Sequence, residues 1–321
     1  MAPGPLPPGM AGIAIERRSW PFADFNAEIA NAVLPSLGRA ARRLAAAHRP
    51  DAVLAFGIWS MPAALAAARD APVVLDLAHI ESATARETRR GDPRRLLLRT
   101  VERWAARRAA RLWTVSAEDR ARLLALVPEA AGRTAVISHG VDGLEPLPTT
   151  PSGPVALFAG RMSYAPNRLA AEFLARDVAP RWMRGRIVLA GDGVPPGLRR
   201  AAGVEVVASP PAMAPLYAGA RLACAPVFTG SGVRNKALEA ARYGVPLVAT
   251  ARAVEGLGFE PSVDYLRAET AGEYLSCFDA LLDDPELGRR LVGSARARVT
   301  ASLLWESSAA RAREELARLC G

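Results

Sequence analysis

The stretch best equipped for chemistry runs Thr229-Gly230-Ser231-Gly232-Val233-Arg234-Asn235-Lys236-Ala237-Leu238-Glu239. It follows an apolar run, Leu222 to Pro226, that reads as a strand. A Gly-Ser-Gly turn opening into a helix offers backbone N–H groups and the positive end of a helix dipole, a combination that favours a diphosphate. Lys236, in the first turns of that helix, would add a full positive charge. Glu239 lies near the same helical face and could accept hydrogen bonds from vicinal hydroxyls such as those of a ribose. The same residues also fit a plain tight turn followed by a solvated Lys236–Glu239 pair, and an isolated Gly-Ser-Gly does not separate the two readings.

Composition singles out Lys236. Of 41 basic residues, 40 are arginine and one is lysine. If codon composition has replaced lysine wherever arginine serves, the survivor marks a place where a compact ammonium is needed; the alternative is survival by chance. The net charge of +9 is spread through both halves without the interleaved aromatics of an RNA-reading surface, so nucleic acid is not an expected partner. Cys224, Cys277 and Cys320 are widely separated and odd in number, which predicts free thiols in a reducing compartment. No apolar run reaches the roughly 20 residues that cross a bilayer, and no export leader is recognisable, so the expected location is cytoplasmic. No His, Cys or carboxylate set recurs at ligand spacing, and no metal or other cofactor is expected.

The elements that must position these residues alternate. Residues 1–11 read as an irregular leader, Gly12 to Glu16 as a short strand and Asn26 to Ala47 as a helix. Strands are expected at Ala52 to Phe56, Val73 to Ala78, Leu112 to Ser116 and Ala135 to Ser138. Between them fall helices at Pro62 to Arg69, Arg94 to Arg111 and Ala117 to Leu126, and Glu145 to Pro154 reads as a linker. Strands then recur at Val155 to Ala159, Arg186 to Ala190, Glu205 to Val207, Leu222 to Pro226 and Pro246 to Thr250, with a tail helix from Leu303 to Leu319. Short apolar strands separated by helices imply parallel sheets covered on both faces. The predicted fold is therefore α/β, with two doubly wound Rossmann-like domains, 1–148 and 149–302, facing across a cleft. A helix at 303–321 follows that could cross back to the first domain.

The segment Gly230 to Ala240, followed by Tyr243 to Thr250 and by Val254-Glu255-Gly256-Leu257, resembles the donor-site signature of glycosyltransferase family 4. The likeness extends to Phe158 through Asn167, to Leu189-Ala190-Gly191-Asp192-Gly193 and to Ser138-His139-Gly140-Val141-Asp142. In the first half it rests on Asp76 through Ser82 and Thr114 through Glu118. The resemblance implies the two-domain GT-B architecture and a retaining, metal-independent transfer of sugar from a nucleotide-diphosphate donor. It places Glu239 on the ribose and Gly160 and Arg161 near the diphosphate, with Gly230, Ser231, Gly232 and Lys236 completing the donor side. It also implies that the loop Val207 to Met213 covers the nucleobase through its backbone. Family members often carry a glutamate where this chain has Ser231, and a lysine where it has Pro166 or Asn167; the Gly-Ser-Gly cradle and Lys236 would then supply the missing charge. The first domain lacks the family's early Gly-rich loop and so reads as shortened at its N-terminus.

His79, just past a strand, is the candidate catalytic residue, placed where a group could meet the transferred sugar; a structural role fits it equally well. Besides the glycosyltransferase reading, the sequence leaves open a catalytically silent nucleotide-sugar-binding or partner protein, and a sugar-nucleotide epimerase on the same fold. The base, sugar and acceptor are not encoded in any motif; a small-molecule or a lipid-linked acceptor fits. Arg86 to Arg111 holds ten arginines against Glu87, Asp92 and Glu102, with Leu97, Val101 and Trp104 at helical spacing. That pattern suits peripheral contact with the inner membrane face, and equally a solvated helix packing its apolar stripe on its own sheet.

Overall fold

The computed structural model describes residues 35–88, 94–145 and 153–321. The expected strand at Gly12 to Glu16, the start of the Asn26 helix and most of the linker lie outside them. The chain divides into two compact units: one takes in the described residues within 1–82, 93–137 and 312–321, the other those within 83–92 and 138–311.

The first unit carries a four-stranded parallel sheet in the order β1-β2-β3-β4. Its strands are β1 Val53–Phe56, β2 Val73–Leu77, β3 Arg111–Thr114 and β4 Thr134–Val136. The helices in this part of the chain are α1 Pro35–His48, α2 Met61–Ala68, α3 Glu81–Thr88, α4 Arg94–Arg108 and α5 Ala117–Leu124. The unbroken apolar core of β2, Val73, Val74 and Leu75, is what a strand covered on both faces requires. Ser116 starts α5 by accepting the Asp119 N–H at 3.1 Å, satisfying one open donor of its first turn. Helix α4 ends three residues before Arg111, which instead begins β3 and pairs in register with Val74. The expected inward stripe of α4 is also displaced by one residue. Leu98, Glu102, Ala105 and Ala106 are buried, whereas Leu97 is 51% exposed.

The second unit carries six parallel strands in the order β10-β9-β8-β5-β6-β7. They are β5 Val155–Ala159, β6 Arg186–Gly191, β7 Val204–Ala208, β8 Leu222–Ala225, β9 Leu247–Ala249 and β10 Leu266–Arg267. All five residues of β5 are buried, as its run of apolar types predicts for a central strand. From β5 the chain steps to β6 and β7 on one side, then returns to place β8 on the other side of β5. That reversal is a topological switch point, where open sheets leave a crevice at the carboxyl ends of their strands. The helices are α6 Ala165–Phe173, α7 Ala214–Gly219, α8 Asn235–Arg242, α9 Ala271–Asp283, α10 Pro285–Ser302 and α11 Trp305–Cys320. Helix α9 starts at a capping box in which Thr270 and Glu273 satisfy each other's backbone donors, and Asp284 with Pro285 sets the start of α10. The tail helix thus starts two residues later than its sequence pattern suggests, and its last residues, 312–321, belong to the first unit.

The main core of the second unit stacks α6 and α9 on the sheet, with Phe158, Trp182, Tyr274 and Phe278 among its largest members. The Phe278 ring sits 4.9 Å from Trp182 and 5.8 Å from Tyr274. Truncating it removes a fully buried aromatic that these rings cannot collapse to replace. Phe278→Ala is expected to cost about 3–5 kcal/mol in urea unfolding, and a loss under about 1 kcal/mol would show the packing to be looser than described.

Candidate functional site

Two loops leave neighbouring strands at the switch point of the second sheet. One follows β5 through Gly160 and Arg161 into α6; the other follows β8 from Pro226 through Arg234 into α8. Gly230 and Gly232 have φ of +97° and +84°, a region that side chains rarely enter. A Cβ on Gly230 would stand 3.1 Å from Tyr164 Oη and 3.2 Å from Pro166 Cγ, so the two loops are in contact here. Arg234 is buried and donates through Nη1 to the carbonyls of Ser231 and Gly232, curling the glycine loop around its own guanidinium. Thr250 Oγ1 donates to Val227 O at 2.6 Å and fixes the start of the same loop.

Lys236 reaches across from α8 to the other loop. Its Nζ donates to Asn167 Oδ1 at 2.8 Å, and Asn167 Nδ2 donates to Arg161 O at 2.9 Å. Gly160 makes this possible, because a Cβ there would lie 2.9 Å from Asn167 Nδ2. The ammonium also sits 5.2 Å from the Phe158 ring centroid. Burial, and then the positive charge of Arg234, push the Lys236 pKa down to about 8 against the pull of Glu239 and Cys224. Glu239 does not pair with Lys236. It accepts a 3.0 Å hydrogen bond on Oε2 from Tyr217 Oη, and Tyr217 is buried and stacked 4.7 Å from Tyr243. Burial and the neighbouring Glu239 hold the Tyr217 pKa well above its ordinary value, so the phenol remains a donor.

The solvated helical pair is therefore not what forms. Gly160, Arg161, Gly230, Gly232 and Lys236 come together at the switch point, with Arg161 exposed and Glu239 further along α8. Ser231 departs from the open cradle expected of it: its N–H donates to Thr84 Oγ1 at 3.2 Å, and the two hydroxyl oxygens are 3.0 Å apart. Ser209, at φ +49°, turns the chain out of β7 into the segment that leads to α7. The sequence reading did not single out Arg234, Tyr217 or the amide role of Asn167. Arg234 lay inside the quoted motif, but nothing about its type foretold burial; Tyr217 is 22 residues from Glu239, beyond any local spacing rule.

In the first unit, His79 follows β2, and its Nε2 lies 3.1 Å from Glu81 Oε1. Burial pushes the His79 pKa down, but the hydrogen bond and charge of Glu81, with the charges of Asp119 and Glu102, outweigh it and hold the imidazole above its ordinary value. Glu102 is buried; its Oε1 accepts the Ser82 N–H at 3.1 Å, whereas its Oε2 has no hydrogen-bond partner. Burial raises its pKa to about 7. Among the described residues no group of three or more His, Cys, Asp or Glu is placed to hold a metal ion.

Residues 153–276 match the model of the family described as "Glycosyl transferases group 1", and residues 3–140 match the "Glycosyl transferase 4-like domain". No curated protein sequence matches the chain. Among solved structures, sucrose-phosphate synthase from Thermosynechococcus elongatus superposes with a TM-score of 0.79 at 20% identity, covering 94% of this chain and 81% of its own. HepE from Anabaena, in complex with UDP and glucose, superposes with a TM-score of 0.69 at 16% identity, over 90% and 83% of the two chains. A UDP-forming trehalose-phosphate synthase from Burkholderia xenovorans gives 0.62 at 10% identity, over 92% and 85%. At these identities the structures share the fold.

Two titrations follow from this geometry. Because Lys236 is the one lysine, amine-selective acetylation read by peptide mapping should report it alone, apart from the α-amino group, with a midpoint near pH 8 instead of 10.5. Its folded pKa lies below the unfolded one, so the cost of holding the ammonium is fully present below about pH 8 and fades as pH rises toward 10.5. Glu102 has the opposite window. Its folded pKa exceeds the unfolded value, so stability falls as pH rises from 4.5 through about 7. Glu102→Gln keeps an acceptor for Ser82 and should stabilise the fold at pH 8 by on the order of 1–3 kcal/mol, with the gain vanishing in acid. Equal urea midpoints for variant and parent at pH 8 would contradict this.

Proposed function

The chain belongs to glycosyltransferase family 4, and we propose on that premise that it moves a sugar from a nucleoside-diphosphate donor to an acceptor with retention of anomeric configuration. The observation that carries the donor assignment is the state of Lys236. Its ammonium is part-buried, is pushed toward neutrality by burial and Arg234, and is hydrogen-bonded to an amide rather than to a carboxylate. Such a site has positive charge in place before an anion arrives, and a diphosphate between Lys236 and Arg161 would satisfy it. The glycine loop at Gly230 and Gly232 lets the donor approach the backbone closely. Glu239, oriented by Tyr217, accepts from the ribose hydroxyls.

In this reading the acceptor hydroxyl attacks the anomeric carbon on the face from which the diphosphate leaves. The bond from anomeric carbon to phosphate oxygen breaks, the new glycosidic bond forms, and the acceptor proton passes to the departing phosphate. Lys236 and Arg161 stabilise the charge that develops there, a role given to protein groups instead of a metal. His79, oriented by Glu81, is assigned to the transferred sugar as a hydrogen-bonding group. The Anabaena neighbour's UDP and glucose make a uridine donor the first to test. A lipid-linked acceptor is favoured by α4, where Leu96 and Leu97 are 74% and 51% exposed, Arg103, Arg107 and Arg108 are exposed further along the helix, and its one acid, Glu102, is buried. No helix among the described residues is long and apolar enough to cross a membrane.

Calorimetry with UDP, GDP and ADP tests the site, and the anomeric proton coupling of the product tests retention. Lys236→Arg and Glu239→Gln should each weaken donor binding by about 1–3 kcal/mol, since one replaces a point charge by a broad fork and the other removes a charged acceptor. Unchanged affinity in both variants would sink the assignment.

A further inference from the structure

We propose that Asn167 is a positioning residue whose neutral amide locks Lys236 to the Gly160–Arg161 turn while leaving the ammonium its full charge for the diphosphate. The inference rests on the donor-site reading above. Asn167 is nearly buried in the first turn of α6, and both ends of its amide are committed: Oδ1 accepts from Lys236 Nζ at 2.8 Å and Nδ2 donates to Arg161 O at 2.9 Å. A flipped amide would set donor against ammonium and oxygen against carbonyl oxygen, so the two partners dictate one orientation. The Asn167 N–H donates to Tyr164 O at 3.0 Å, which holds its backbone to the turn between β5 and α6. Gly160 leaves the amide its place, with 2.9 Å from a would-be Cβ to Nδ2.

The chemistry explains why the residue is an amide. A carboxylate at this position would hold Lys236 at least as well and keep it protonated, but its own negative charge would offset the ammonium's toward a diphosphate, and it would set a negative oxygen against the Arg161 carbonyl. An apolar residue would leave the ammonium charged but untethered. Only a neutral group with an acceptor toward Lys236 and a donor toward Arg161 both fixes the cation and spares its charge. An ammonium has three N–H donors, so one spent on Asn167 leaves two for phosphate oxygens.

Asn167→Asp and Asn167→Ala, with Gly160→Ala as an independent way to displace the amide, separate this role from a merely structural one. UDP affinity at pH 7 is measured by calorimetry, melting temperature without ligand by thermal unfolding, and the Lys236 titration by acetylation. Asn167→Asp is expected to lose about tenfold or more in UDP affinity, the scale of one charge-assisted hydrogen bond, while its melting temperature falls no further than that of Asn167→Ala. Its Lys236 acetylation midpoint should rise, because a carboxylate beside an ammonium favours the charged form. Asn167→Ala and Gly160→Ala should lose affinity without that rise. Parent-like UDP affinity in Asn167→Asp, or affinity losses in all three variants that merely track falling melting temperature, would overturn the proposal. If the parent protein binds none of UDP, GDP and ADP, the donor reading fails by itself. The positioning contact is then still judged by the acetylation midpoint, which must rise in Asn167→Asp and not in Asn167→Ala.

Discussion

The pairing of β5 with β8 is the constraint on which the rest of the second unit depends. Those strands are separated by more than sixty residues, yet Ala156 and Leu157 lie in register with Leu222 and Ala223 at the centre of the sheet. Because β6 and β7 occupy one flank and β9 and β10 the other, the chain reverses direction of growth between β5 and β8. The loops at the carboxyl ends of this pair then lie side by side, as the near-contact of Gly230 with Tyr164 and Pro166 shows. Everything that makes the site cationic is hung on these two loops. The buried apolar strands supply the free energy that holds them together, so the polar bonds across them have only to orient groups.

Orientation is costly here, and the cost falls on charge. Lys236 lies beside Arg234 at the start of α8, and the positive end of the helix dipole adds to their mutual repulsion. Arg234 relieves part of this through the carbonyls of Ser231 and Gly232, oxygens whose dipoles point at the guanidinium. Lys236 is relieved by the Asn167 oxygen and by the face of Phe158. None of these partners carries a negative charge, so the field at the loop remains positive. Glu239, the nearest acid on the helix, is drawn away by Tyr217.

Much of this was legible from the sequence. The alternation of short apolar strands with helices gave the two parallel sheets, and the glycine spacing with the lone lysine picked out the loop after β8. Errors lie where a side chain's fate depends on a distant partner. The sequence left Lys236 either as a charge for a diphosphate or as a solvated partner of Glu239, three residues on, because local spacing is all a sequence displays; the structure gives it Asn167, 69 residues away, and gives Glu239 to Tyr217. Ser231 was expected to offer an open N–H, which Thr84, 147 residues distant, takes up. In α4 the inward stripe was assigned by hydrophobicity to Leu97, Val101 and Trp104, but helix rotation turned Leu98 and the carboxyl of Glu102 inward. An acid facing the core is the kind of feature that periodicity argues against.

With Asn167 on the Arg161 turn and Lys236 approaching it from the opposite loop, the second positive charge of the site is carried across the switch point from the first. A cation carried on the same turn as Arg161 would be positioned by that turn alone. One that crosses from α8 is positioned only while β5 and β8 keep both loops in place, and its charge then reports on the contact between them. The arrangement makes the site sensitive to the neutrality of a single amide, since any acid at that position would silence the charge it is meant to hold. It also agrees with the reading that the one lysine among 40 arginines stands where a compact ammonium is needed. A guanidinium is too broad to be seated by one amide oxygen against the ring of Phe158, whereas an ammonium is small enough to be held there and still turn two N–H groups outward.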